Sequence, residues 1–196
     1  MAQQVQVEKH SKTPLAYPEF RDGAITFTFG TTKTYKADIF LKDASLIYKS
    51  GGKTLKASLA QVRSVTFGTD SFIPTGGRLG RVIAAKDSVT LTDVTTIDMA
   101  RIEKDVETGK NSSFLDMPEF NVFIDTNSDY WGRDDSYIPL KTEYFFVIKG
   151  EAVPATEKVI KQRIRPDKKK DFKELMKNRF WSWKDAGSLK QLLEYF

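Results

Sequence analysis

The sequence predicts an α+β protein, an antiparallel β-sheet or flattened barrel over residues 20–150 with two or three C-terminal helices packed on it. From residue 24 onward apolar residues recur at every second position in runs parted by Gly-rich or polar turns, the pattern of half-buried strands joined by hairpins. After Pro154 the period lengthens to that of a helix. The chain has 196 residues, 40% of them hydrophobic, and no cysteine, so packing alone has to hold the core. Residues 1–19 read as a flexible leader and 20–196 as one domain, β-rich to 150 and helical from 151.

Ile25, Phe27 and Phe29 alternate with Thr26 and Thr28, and Ala37, Ile39 and Leu41 alternate with Asp38 and Phe40. Ser45–Lys49 and 53–58 flank Ser50-Gly51-Gly52, where two glycines supply the positive φ of a tight hairpin. Val62, Val65 and Phe67 follow, then Phe72 and Ile73 ahead of a turn at Pro74-Thr75-Gly76-Gly77. Val82–Ala85 and Val89–Leu91 form a further hairpin about Lys86-Asp87-Ser88, and Thr95–Met99 extends its second strand. Residues 101–118 lose the period and read as an exposed loop. Strands resume at Phe120–Ile124 and Tyr144–Ile148, enclosing a polar insertion from Asp125 to Ser136. Val159, Ile160 and Ile164 make one helical stripe. Asp167 is placed to cap a second helix whose packed face holds Phe172, Leu175, Met176 and Phe180. A last helix begins near Asp185 and buries Leu189, Leu192, Leu193 and Phe196.

Composition removes several function classes. Without cysteine there are no thiol nucleophiles, zinc–cysteine sites, iron–sulfur clusters or disulfides. The single histidine, His10, lies in the polar leader, so a Ser-His-Asp triad or a His-based metal site requires that leader to fold back. No apolar run reaches the roughly 18 residues of a membrane-spanning helix. The net charge is +5, and 13 of the 31 Lys/Arg against 7 of the 26 Asp/Glu fall in 149–196, so the excess is C-terminal. It is densest at Lys161, Arg163, Arg165 and Lys168–Lys170. A polyanion would use such a patch, but Glu157, Asp167, Asp171 and Glu174 interleave with the bases, which favours a solvated helix face and disfavours nucleic acid.

Motifs are few. Asp125, Asn127 and Asp129 alternate as in the first half of a calcium loop, but Tyr130 stands where a turn glycine belongs and Ser136 where a bidentate Glu would close the shell. Calcium is therefore a weak candidate, and no other cofactor is implied. The acids Asp125, Asp129, Asp134 and Asp135 would also supply the carboxylate pair of a glycan hydrolase. Tyr130, Trp131 and Tyr137 form the better candidate for a ligand-stacking platform, whereas Phe180-Trp181-Ser182-Trp183 reads as a packing anchor for the helices. Ser50-Gly51-Gly52-Lys53 spells an acylating Ser-x-x-Lys, and Gly76-Gly77-Arg78-Leu79-Gly80-Arg81 a phosphate loop, but both fall on hairpin turns. Asn111-Ser112-Ser113 is an N-glycosylation spelling.

The order of several phrases resembles uncharacterised secreted or cell-envelope proteins common in Bacteroidetes. These phrases are Ile39-Phe40-Leu41-Lys42-Asp43-Ala44-Ser45-Leu46-Ile47-Tyr48 before a Gly turn, Val65-Thr66-Phe67-Gly68, and Arg179-Phe180-Trp181-Ser182-Trp183 running on to Leu192-Leu193-Glu194-Tyr195-Phe196. The resemblance implies export, to the periplasm, envelope or exterior, with the signal peptide absent from this chain; it carries no site residues. Met1-Ala2-Gln3-Gln4 fits either a mature exported start or an intact cytosolic one. The function expected is a non-enzymatic binding module whose partner is a glycan or an envelope protein. A carboxylate-based glycan hydrolase is the alternative, and a weak polyanion binder the third reading. Oligomeric state is left open.

Overall fold

The structure is a computed structural model, and it describes residues 9–11, 13–108 and 138–196. It is α+β: eleven antiparallel strands in one sheet and four α-helices among the described residues, three of them C-terminal. The strands are β1 (Lys9–Ser11), β2 (Arg21–Phe27), β3 (Thr32–Phe40), β4 (Ser45–Ser50), β5 (Lys53–Lys56) and β6 (Val62–Phe67). β7 (Asp70–Thr75), β8 (Arg78–Lys86), β9 (Val89–Ile97), β10 (Ile138–Ile148) and β11 (Glu151–Pro154) complete them. Their order is β1-β10-β9-β8-β7-β6-β2-β3-β4-β5, with β11 pairing β10 beside β1. Neighbours in the chain are mostly neighbours in the sheet because tight turns join them. Gly51 and Gly52 close β4–β5 with φ of 56° and 75°, and Gly76 and Gly77 close β7–β8 with φ of 59° and 80°.

The sheet curls without closing. Irregularities of register between Thr26 and Phe27 and between Val82 and Ala84 sharpen its twist. The turn after β3 thereby reaches strands far away in the sheet order: Leu79 N donates to Ala44 O and Ile97 N to Leu41 O, each at 2.8 Å. Inside the curl, Ile25, Ile39, Leu46, Val65, Phe67, Phe72 and Leu79 form the first core. Gly23 belongs to this packing, since a Cβ there would lie 2.7 Å from the Phe67 ring.

The C-terminal segment covers a second part of the sheet. It holds α2 (Glu157–Arg163), α3 (Lys169–Leu175) and α4 (Ala186–Gln191), with short 3-10 turns at Pro166–Lys168 and Leu192–Tyr195. Ile160, Ile164, Phe172, Leu189, Leu192 and Leu193 pack on Val89, Leu91, Phe146 and Val153. Such short helices gain their stability from this contact. The last helix starts beside Asp185 as expected, and Asp185 caps it, accepting from Ser188 N at 2.6 Å.

Four expectations change. Residues 101–107 are not loop but part of helix α1 (Met99–Glu107), which Met99 starts rather than extending β9: Asp98 Oδ1 accepts from Arg101 N at 3.2 Å, and Ile102 is buried against Leu41, Ile97 and Ile138. Asp167 is no cap; Pro166 begins a 3-10 turn and Asp167 sits inside it. α3 ends at Leu175, so Phe180 lies beyond the helix and is 75% exposed. The leader is engaged before residue 20: β1 lines β10, with His10 opposite Pro139, and Leu15 is buried and bridges to Phe40.

Candidate functional site

Where the β3–β4 turn docks on the start of β8 and the end of β9, the fold leaves a cavity of about 510 Å3. Four cationic side chains reach it from four places in the chain: Lys42 in the β3–β4 turn, Lys56 ending β5, Arg78 starting β8 and Lys141 in β10. Asp43 is the carboxylate in the lining. Ala57 and Leu59, between β5 and β6, and Ile97 and Met99, at the corner from β9 into α1, supply an apolar wall. A cavity of this size and mixed lining is within the range of small-molecule sites.

Lys56 and Arg78 are neutralised within the protein, and Lys42 has a partner of its own. Lys56 pairs with Asp43. Arg78 donates to Glu143 at 2.7 Å and lies 5.3 Å from the centre of the Phe145 ring. Burial pushes the Asp43 carboxyl up, but hydrogen bonds from Lys56 and Ser45 outweigh it and hold the group below the ordinary aspartate range. Lys141 makes no ion pair among the described residues. Its position is set by register, because Lys141 stands opposite Thr96 on the β9–β10 ladder and shares a face with it. Thr96 is 4% exposed, and its Oγ1 is buried without a hydrogen-bond partner among the described residues. An orphaned hydroxyl of this kind costs about 1–3 kcal/mol unless a ligand meets it. The Ser45 hydroxyl, beside Asp43, is likewise buried without a well-formed hydrogen bond.

A second polar cluster lies where residues 14–17 cross the sheet. Asp38 Oδ1 accepts from Ala16 N, Tyr17 N and Ile39 N at 3.1, 3.3 and 2.7 Å, while Oδ2 is buried without a partner among the described residues. Burial pushes Asp38 up to about 7 against those three hydrogen bonds. Tyr17 donates to Asp70 at 2.9 Å, and burial, followed by that hydrogen bond, raises its phenol. Arg81 grips Asp93, its cross-strand partner, at 2.7 and 3.3 Å. Apart from Asp38 Oδ2, these donors and carboxylates are spent on one another. The cluster ties the leader and β7–β9 to the core, and we read it as structural.

The residues expected to bind lie elsewhere. Tyr130, Trp131 and Tyr137, the calcium candidates Asp125, Asn127 and Asp129, the acids Asp134 and Asp135, and Asn111 all fall outside the described residues. Among the described residues no three acidic or histidine side chains group as metal ligands would. No described helix is long and apolar enough to cross a membrane. The C-terminal bases are partly matched: Arg163 forks onto Glu151, Arg165 meets Asp167, and Lys168 meets Asp171. Trp181 and Trp183 pack T-shaped at 4.5 Å against the helix cluster. Gly77 and Arg78 fall within the Gly76–Arg81 spelling that reads as a hairpin turn, and the other cavity residues escaped the sequence reading because no short stretch contains them. The nearest signal was the Lys42-Asp43 pair within a turn, which on its own reads as solvated surface.

The chain matches no protein-family model, no curated protein and no solved structure. The fold and the cavity therefore define a curled-sheet α+β protein with a basic, partly apolar pocket, and function has to be argued from that pocket.

Proposed function

We propose that the chain is a non-enzymatic binding module that takes an anionic small molecule in the cavity between the β3–β4 turn and strands β5, β8, β9 and β10. One observation carries this reading: the buried Thr96 hydroxyl, without a partner among the described residues, stands beside Lys141 in a lining with four cations and one carboxylate. A hydroxyl donor next to an ammonium is a pair that an oxyanion satisfies at once. The lining supports binding rather than acid–base chemistry, because Asp43 is kept ionised by Lys56 and is already spent on it.

Isothermal titration with a panel of phosphate, sulfate and simple carboxylates tests the reading. Saturable binding of at least one anion is expected, reduced about tenfold or more by Thr96→Val and by Lys141→Glu. Thr96→Val should leave the melting temperature unchanged or raise it, since it removes an unmet hydroxyl. Equal binding by wild type and both variants would refute the site.

A further inference from the structure

We infer, resting on the anion-site reading above, that the ligand is a monoanionic amphiphile: a small organic acid whose head group meets Thr96 and Lys141 and whose apolar body lies on Ala57, Leu59 and Met99. Charge sets the first half of this inference. Within the lining Lys56 is matched by Asp43, Arg78 is matched by Glu143 just outside it, and Lys42 has a partner of its own, so three of the four cations are already engaged by the protein. Lys141, with no ion pair among the described residues, is left on the ladder opposite Thr96, whose hydroxyl is buried without a partner among the described residues. That arrangement answers one acidic group. A polyanion would have to displace Asp43 and Glu143 from their partners, losing as many charge pairs as it makes.

Volume and apolar surface set the second half. A bare phosphate or sulfate would fill a small part of about 510 Å3 and would leave Leu59 and Met99, both half-buried, facing water. Ala57 and Leu59 are held against the first core, so this wall is a fixed surface rather than a mobile flap. An aliphatic chain that covers this wall gains about fourfold in affinity for each methylene it buries. The acid head and the chain together use both kinds of surface that the cavity offers.

The test is isothermal titration of the full chain with octanoate, hexanoate, octanol and inorganic phosphate. Octanoate is expected to bind roughly fifteenfold tighter than hexanoate, because two further methylenes are buried. It should also bind more tightly than octanol, which lacks the charge, and than phosphate, which lacks the chain. Leu59→Ser should weaken octanoate while leaving phosphate unchanged, whereas Thr96→Val should weaken both; the chain-length series on the wild type stands even if Leu59→Ser fails to fold. Phosphate bound as tightly as octanoate, with no gain from hexanoate to octanoate, would overturn the amphiphile and leave the anion site standing. Octanol bound as tightly as octanoate would overturn recognition of the acid head. Binding of none of the four would overturn the anion site itself.

Discussion

Asp38 makes stability depend on pH in a direction opposite to that of most carboxylates. Its side chain is fully buried, one oxygen holds three backbone N–H groups, and burial lifts it to about 7 from an ordinary 3.8. Between those two values the folded chain keeps a proton that the unfolded chain has released. Its contribution is therefore complete below about pH 4 and is lost as pH rises through 7. The loss runs at roughly 1.4 kcal/mol per pH unit, with a ceiling of about 4 kcal/mol over the whole interval. Asp43, Asp185, Glu151 and Glu194 are all held below their ordinary values, so their contributions are present at neutral pH and vanish only as pH falls into the acid range. The window from pH 5 to 7 thus separates Asp38 from them. Asp38→Asn keeps an acceptor for the three N–H groups but does not ionise. Urea denaturation of both proteins at pH 5, 6, 7 and 8 and constant ionic strength should show the wild type losing on the order of 2–3 kcal/mol relative to the variant between pH 5 and 7. His10 is present in both chains and cancels in the difference. Parallel curves would show that Asp38 does not titrate in this window and that its environment has been misread.

Other perturbations test the packing. Gly80→Ala places a Cβ 2.6 Å from Thr75 Oγ1 and 2.9 Å from Thr92 Cβ, both residues buried, and should cost about 1–3 kcal/mol by chemical denaturation. Arg81→Gln leaves the nearly buried Asp93 carboxylate without its charge partner; a loss of about 2 kcal/mol is expected, discounted because Arg81 is half exposed, and no change in midpoint would show that water replaces it. Trp181→Ala should cost on the order of 3 kcal/mol, whereas Trp181→Phe should cost much less, because the indole N–H has no hydrogen-bond partner among the described residues to lose. Leu15→Ala should cost about 2–3 kcal/mol if the bridge to Phe40 holds the leader to the core, and an unchanged melting temperature would return those residues to a free tail.

The sequence by itself determined the elements whose signals are local. Alternation over Ile25–Phe27 and Ala37–Leu41, paired glycines at 51–52 and 76–77, and the cap at Asp185 each act within a few residues, where steric and hydrogen-bonding rules admit few outcomes. Helix α1 was written there too, in Asp98 set three residues ahead of Arg101 with Met99 and Ile102 on one side. The charged residues around it hid the signal, because exposed helix faces and loops share that composition. Only the tertiary structure decided the rest. Ala16 and Asp38 are twenty-two positions apart in number but meet because the leader lies along β3, where Leu15 bridges to Phe40, and a polar leader gives no hint of the strand it will join. Phe180 followed the helical spacing of Phe172, yet α3 stopped at Leu175 and left it in solvent. The cavity depends most on the whole fold. Lys42, Lys56, Arg78, Thr96 and Lys141 come together only because irregular register and twist curl the sheet until the β3–β4 turn bonds to β8 and β9. Curvature accumulates over many strands, so no short window of sequence encodes it.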